Sequence, residues 1–497
     1  MSRQEPTVRG PEISIDADWD RQYVGGEWRR VEERERIEVE NPATREHITE
    51  VPAASVEDVD DAYEAATAAQ VDWAETPPQE RARIVRRVGE LMEKHEAAIR
   101  EILAVEGGST VPKQDIEFGG TVTLVYDTAQ FPFRVSGRHA DSKVPGKENM
   151  VRREPAGVVG VITPWNVPLK LAMRAAGPAI AVGNGVVLKP PAETPISGGL
   201  LLARLFELAG LPDGVLNVVP GHGSTAGDRV AAHPDSDVIA FTGSTQAGRL
   251  VGENAIDHFA FPALELGGNN AHVVLEDADL DTAVDAGVFG SFWNQGQVCI
   301  SINRHLVHES IYDEYVERLA ERAADLTVGD PRDEDSIVGP IINESQRDQI
   351  MTFIEETAEQ GATIETGGEN DGLFVEPTVL SGVENSMSAA CNEHFGPVAP
   401  VIPFSSDEEA VELANGTAYG LAGSVHSADR GRARDVGDQI DVGMMHINDQ
   451  PIHVEPHMPF GGVKDSGVGR YNGDWIIDEL TTTKWTSVQR EERGYPF

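Results

Sequence analysis

Hydrophobic positions change their rhythm several times along this chain. Up to about residue 55 charged residues are scattered without period, and the stretch reads as irregular. From Val56 to Trp73 the apolar residues recur at helical spacing, and Ser55 stands where an N-cap belongs. Arg81–Val105 repeats that pattern, whereas residues 131–153 are polar and β-prone. At Gly157 the texture changes. Gly157–Ile162 is a short unbroken apolar run, the mark of a strand covered on both faces. Pro168–Val182 reads as a helix, Gly185–Lys189 as a strand, and Leu200–Ala209 as a helix closed by Gly210. Strands follow at Val215–Val219 and Val238–Phe241. Strands alternating with helices predict an α/β fold with a parallel, doubly wound sheet.

A second α/β set is expected from about Pro262. Its strands are Leu264–Leu266, Val273–Leu275 and Arg304–His308, and its helices Leu280–Phe292 and Ile311–Leu326. Helix and strand then alternate to about residue 445. Thr481–Gln489 alternates in the β manner with no local partner, so it is expected to pair with a distant segment or another subunit. With 497 residues the chain has room for about three domains, and no internal repeat divides it.

Charge narrows the partners. Acidic residues number 83 against 40 basic ones, a net charge of −43, and only 8 of the basic residues are lysine. Nucleic acid or an anionic membrane needs a positive footprint, which this surface lacks. Dispersed acid with little lysine reads as adaptation to a salt-rich cytoplasm, where self-repulsion is screened. Two cysteines, Cys299 and Cys391, build no disulfide framework. The opening Met-Ser-Arg-Gln-Glu-Pro lacks a signal-type apolar stretch, and no run reaches the roughly 20 residues of a membrane helix. A soluble, cytoplasmic protein is expected.

Candidate chemistry collects at strand ends. Gly221-His222-Gly223-Ser224-Thr225-Ala226-Gly227 follows the third strand, and Phe241-Thr242-Gly243-Ser244-Thr245, leading to Gly248, follows the fourth. Such glycines let a ligand approach the backbone, and the next helix N-terminus favours phosphate, although neither stretch is a GxGxxG fingerprint. Lys189 ends the second strand, where dinucleotide folds meet the adenosine ribose. Cys299 sits in a turn after a helix, as a reactive thiol or an inert buried one. Glu265 lies among apolar strand residues; burial raises the pKa of a carboxylate toward that of a neutral-pH base, unless its role is only structural. His446, His453 and His457 are broken up by Pro451 and Pro456, and no metal site is expected.

These stretches stand in one order: Thr163-Pro164-Trp165-Asn166-Val167-Pro168, Lys189-Pro190, Phe241-Thr242-Gly243-Ser244, Glu265-Leu266-Gly267-Gly268-Asn269, Gly296-Gln297-Val298-Cys299, Glu393-His394-Phe395-Gly396-Pro397 and Pro459-Phe460-Gly461-Gly462-Val463-Lys464. In that order, from about residue 20 to 490, the chain resembles the NAD(P)-dependent aldehyde dehydrogenase superfamily. The resemblance implies Cys299 as the nucleophile, and Asn166 with the Cys299 N–H as the oxyanion hole. Glu265 would activate the hydrolytic water. Glu393 and Phe395 would hold the nicotinamide end, and Thr163, Pro164, Trp165, Lys189, Glu193, Gly223, Gly243, Ser244, Gly248, Leu266 and Gly267 would line the rest of an NAD or NADP site. Asn166-Val167-Pro168-Leu169-Lys170-Leu171-Ala172-Met173-Arg174 and Met445-His446-Ile447-Asn448-Asp449-Gln450 resemble the benzaldehyde, vanillin and salicylaldehyde dehydrogenase branch, and apolar Val298 and Ile300 suit an aromatic or other apolar aldehyde.

The implied architecture is a Rossmann-like cofactor domain (1–130 and 154–262), an α/β catalytic domain (263–445) and a small β oligomerisation arm (131–153 and 481–497). Residues 446–480 would return to the cofactor domain and line the substrate entry. A homodimer or homotetramer is expected. Three positions depart from many members: Ala192 replaces a Glu at the ribose, Ala175 a Lys beside Arg174, and Tyr471 the Glu of a Gly-Arg-Glu stretch. The first leaves NADP admissible; the other two question any proton relay through those groups. A semialdehyde or aliphatic aldehyde dehydrogenase, a CoA-acylating enzyme and a non-catalytic relative are the alternatives.

Overall fold

The computed structural model describes Ser14 and residues 18–497; the N-terminal Met-Ser-Arg-Gln-Glu-Pro lies outside the described residues. Two large sheets dominate. The first has eight strands in the order Glu27–Arg29, Gln22–Val24, Leu216–Val218, Gly185–Lys189, Val158–Ile162, Val238–Thr242, Phe261–Glu265, Gly467–Val468. The five central strands run parallel. The outer ones are antiparallel. Every residue of Val158–Ile162, Gly185–Lys189 and Val238–Thr242 is buried, which is why these strands read as continuous apolar runs.

The second sheet has seven strands: Thr363–Thr366, Thr378–Ser381, Val398–Phe404, Ile302–His308, Asn270–Val274, Ala422–His426 and Met444–Ile447. All its pairings but the first are parallel. A third, three-stranded sheet joins Thr481–Gln489 to Lys147–Pro155 and Arg138–Asp141. Thr481–Gln489 thus finds the distant partner its pattern asked for, in antiparallel register from Thr481↔Pro155 to Gln489↔Lys147.

Helix ends follow their local chemistry. The Ser55 hydroxyl accepts from the Asp58 N–H while the Asp58 carboxylate accepts from the Ser55 N–H. This reciprocal box starts the helix Val56–Glu75 and is worth about 1 kcal/mol. Gly210 closes Leu201–Ala209 at φ +86°, a left-handed conformation suited to glycine. Pro168 opens Pro168–Val182 at the first turn, and every residue of that helix except Lys170 is buried.

Three readings need correction. The stretch before residue 55 is not irregular: it holds four strands, Gln22–Val24, Glu27–Arg29, Arg36–Glu40 and His47–Pro52. Their apolar residues Val24, Ile37, Val39 and Val51 are buried, but runs of three to six residues are too short to show a period. Arg81–Val105 is two helices, Pro78–Lys94 and Glu96–Gly107, broken at His95. The strand expected to open the second set, Leu264–Leu266, is the end of Phe261–Glu265 and pairs in the first sheet with Val238–Thr242.

Candidate active site

The first sheet brings its candidate residues to one edge. Ile162 pairs with Lys189, Phe241 with Ile162, and Thr242 with Glu265, so the stretches that follow all leave the sheet at the carboxyl ends of parallel strands. Open α/β sheets bind ligands there. A cavity of about 230 Å³ lies on this edge. Pro164, Trp165, Gly243, Ser244, Leu266, Gly267, Glu393 and Phe395 all line it, with Asn166 and Cys299. Trp165 and Phe395 meet edge to face, ring centroids 5.5 Å apart. Glu393 accepts from the Gly268 N–H at 3.1 Å. A Cβ on Gly267 would stand 2.3 Å from the Glu393 carboxylate, which would have to move.

Five expected cofactor residues lie outside that cavity. Thr163 is buried at the strand end, and its hydroxyl meets no protein partner. The Lys189 ammonium also forms no hydrogen bond or ion pair, and burial lowers its pKa to about 8, against the opposing charge of Glu193. Glu193 itself lines a separate groove beside Glu38, Glu40, Arg45 and Glu344. Gly223 begins the turn Gly223–Gly227, whose last residue packs near the Lys189 side chain. Gly248 faces Leu266 so closely that a Cβ would come within 2.2 Å of it.

A second cavity, of about 220 Å³, shares Asn166, Leu171 and Cys299 with the first. Its remaining walls are mostly apolar, among them Val167, Trp293, Val298, Ile300, Ile452 and Phe460. The thiol and the amide therefore stand on a wall common to the two cavities. The aldehyde dehydrogenase family model matches residues 28–486. The chain belongs to that family.

The dehydrogenase is 45% identical over 478 residues to benzaldehyde dehydrogenase YfmT of Bacillus subtilis, covering 96% of this chain and 98% of the relative. It is 46% identical over 471 residues to vanillin dehydrogenase of Corynebacterium glutamicum, covering 94% and 97%. Among solved structures, a putative aldehyde dehydrogenase from Burkholderia cenocepacia superposes with a TM-score of 0.93 at 35% identity, covering 96% of this chain and 98% of that one. Betaine aldehyde dehydrogenase from Staphylococcus aureus, in complex with NAD+, gives 0.93 at 33% identity, covering 95% of each.

In the dehydrogenase Cys299 follows a strained turn. Asn294 and Gln295 have φ of +52° and +56° and Gly296 +68°. Two consecutive non-glycine residues in the left-handed region persist only where their surroundings hold them. Asn294 supplies that hold, donating to the Asn166 carbonyl at 3.1 Å and the Gln297 carbonyl at 3.3 Å. The Asn166 amide gives one hydrogen to the Gln297 carbonyl at 2.9 Å and keeps its second N–H. Asn270 fixes the other side, donating to the Cys299 carbonyl at 2.9 Å and the Ser301 carbonyl at 2.7 Å. Asn270 and Asn294 were not foreseen as functional. Both flank the expected motifs, but nothing in their spacing marks an amide that braces a backbone. Gln346 and Gln349 also line the first cavity, from a helix, Glu344–Glu359, with no sequence signal.

Burial pushes the Cys299 thiol up to about 12; Arg174 opposes the rise, and Glu393 and Glu265 add to it. Burial also raises Glu265 well above the usual carboxylate range, against the charges of Arg174 and Arg470. Neither oxygen of Glu265 has a protein donor. Of the three positions that depart from many members, Tyr471 stands here, as does Arg174, the neighbour of Ala175. Arg174, beside Ala175, lays its guanidinium over the rings of Phe460 and Tyr471, 4.2 and 5.0 Å from their centroids. Cys391 is exposed and lines neither of these cavities. His453 and His457 both pair with Glu455, and no group able to hold a metal occurs among the described residues.

Proposed function

We propose that this enzyme oxidises an aromatic or other apolar aldehyde to its carboxylate, with NAD as the preferred acceptor and NADP as a second. The observation that carries the reading is the shared wall: Cys299 and Asn166 line two cavities, one at the strand ends of the first sheet and one walled mostly by apolar side chains. The names of the relatives, a benzaldehyde and a vanillin dehydrogenase, point the same way.

The cavity at the strand ends suits a dinucleotide. Trp165 and Phe395 offer aromatic faces, Glu393 supplies a carboxylate suited to a ribose, and beyond the cavity Thr163 holds an unpartnered hydroxyl at the strand end. Bound there, NAD supplies hydride acceptance. The protein does the rest. Cys299 forms the carbon–sulfur bond to the aldehyde carbon. The free N–H of Asn166 and the Cys299 backbone N–H hold the developing oxyanion, a role that needs donors fixed in advance. After oxidation the acyl group is a thioester on Cys299, and Glu265 takes a proton from the attacking water. Glu265 also separates this reading from a CoA-acylating one, which has no use for a buried base. Ala192 at the ribose end leaves no carboxylate to repel a 2′-phosphate, and Glu193 next door supports the mild preference for NAD.

The same reading assigns the first sheet and its helices to the cofactor, the second to catalysis, and the three-stranded sheet to subunit assembly as a homodimer or homotetramer. Trp485 and Val488 on that sheet are exposed side chains suited to a subunit contact. A salt-rich cytoplasm suits the charge of −43. Among the described residues no helix is long and apolar enough to cross a membrane.

Turnover of benzaldehyde with NAD, followed by absorbance of the reduced nicotinamide, tests the assignment. Cys299→Ala is expected to abolish turnover while calorimetry still detects NAD binding, and Cys391→Ala to keep turnover within about twofold. A Cys299→Ala enzyme that turned over normally would overturn the mechanism.

A further inference from the structure

The apolar cavity contains more positive charge than its own residues balance. Lys170 and Arg174 lie one turn apart on the same face of Pro168–Val182, a helix otherwise built of small and apolar residues. Arg174 is the inner one: its charge acts on the Cys299 thiol and on Glu265, the two groups that become anionic during the proposed reaction.

Lys170 has no such counterpart. Its ammonium forms no hydrogen bond and no ion pair with the protein, and burial together with Arg174 lowers its pKa to about 8. The one acid that acts on it is Glu117, which also lines the cavity. That carboxylate is already engaged. It holds the buried Lys113 ammonium and accepts from the Leu169 and Lys170 backbone N–H groups at 3.0 and 3.4 Å. Lys113 in turn donates to the Ser109 hydroxyl at 2.7 Å. His453, the remaining titratable group on the wall, pairs with Glu455. The Lys170 ammonium rests over Gly120 of the helix Val111–Thr128, where a Cβ would stand 3.0 Å from Nζ.

Lys170 is half-buried and its ammonium has no protein partner, so an anionic occupant of the cavity would gain a charge-assisted contact there. Lys170 lines the same cavity as Asn166 and Cys299, on the first turn of the helix that follows Asn166. We propose that Lys170 forms a subsite for an anionic oxygen on the far side of the substrate ring, so that the enzyme favours aromatic aldehydes carrying a carboxylate or phenolate. This rests on the aldehyde reading of the cavity.

The test compares kcat/KM for 4-carboxybenzaldehyde and 4-hydroxybenzaldehyde with that for benzaldehyde, at neutral pH and constant ionic strength. The native enzyme is expected to favour at least one acidic substrate by about tenfold or more, and which one identifies the oxygen. Lys170→Met keeps the length and removes the charge; it should bring that ratio close to one, and Lys170→Arg should retain most of it. A native ratio near one, or a ratio unchanged in Lys170→Met, would overturn the subsite. Calorimetric binding of terephthalate against benzoate probes the subsite without turnover. If no aldehyde is oxidised, the functional reading fails, whereas tighter terephthalate binding that Lys170→Met abolishes would still establish the subsite. Equal binding of the two acids would remove it.

Discussion

Glu265 shows how one residue is poised by what surrounds it. Its carboxyl is buried on the strand Phe261–Glu265 and meets no donor. Desolvation holds it protonated above the usual carboxylate range. A base with a raised pKa accepts a proton more readily once it ionises, so deacylation should rise with pH as Glu265 loses its proton. Glu265→Gln keeps the volume and removes the acceptor. Stopped-flow absorbance should then show a first-turnover burst of reduced cofactor and a steady state slower by about 10²–10⁴-fold. An unchanged steady state would exclude Glu265 as the base. This residue was legible in the sequence because an acid among apolar strand residues is conspicuous. Lys170 was not, since its meaning depends on where Glu117 and Lys113 spend their hydrogen bonds. Those contacts cross between two helices, and no local pattern encodes them.

The elements themselves were legible where burial makes the pattern simple. Pro168–Val182 and Gly185–Lys189 were read to the residue, because Pro168 and Gly183 punctuate the first and continuous apolar character marks the second. The hairpins before residue 55 escaped because they are short. The second sheet hides another feature. His272 and His305 are paired on neighbouring strands and fully buried. His272 bonds Ser424, and His305 bonds Ser291 and Tyr315, each at 2.8 Å. Burial holds His305 at about 3 and the nearby His394 at about 4, and keeps His272 well below its ordinary value. The folded sheet therefore keeps these rings neutral, while the unfolded chain binds protons below about pH 6.5. Their contribution to stability is full above that pH and is lost as pH falls toward the folded values. Three such rings cost about 4 kcal/mol for each pH unit below it. The slope of unfolding free energy against pH between about 6 and 5 should correspond to some three protons from this group, and His305→Gln should remove one. A slope that His305→Gln leaves untouched would mean that the ring is protonated in the native state.

Across the whole molecule the net charge of −43 sets the conditions of stability. Most of the ion pairs lie at the surface, such as Arg432 with Glu276 and Asp407, and their cations are largely arginine. Such pairs offset only part of the surplus acid. In molar salt the Debye length is about 3 Å and the like charges hardly sense one another; near 0.1 M it is about 10 Å. Melting temperature and activity should both fall as salt is diluted over that range. A melt that stays flat would remove the salt-adapted reading and leave the catalytic one in place.

The order in which the chain is synthesised acquires a consequence from the sheet topology. Phe261–Glu265 is covered on its outer edge by Gly467–Val468, and Lys147–Pro155 by Thr481–Gln489. Asn184, deep in the first half, donates to the Leu480 carbonyl at 3.0 Å. Residues 467–489 thus close structures begun hundreds of residues earlier. A nascent chain halted before Gly467 holds the nucleophile and the base but leaves the edge beside Glu265 open to water. Competence as a catalyst therefore waits on segments far along the chain from the centre of either large sheet.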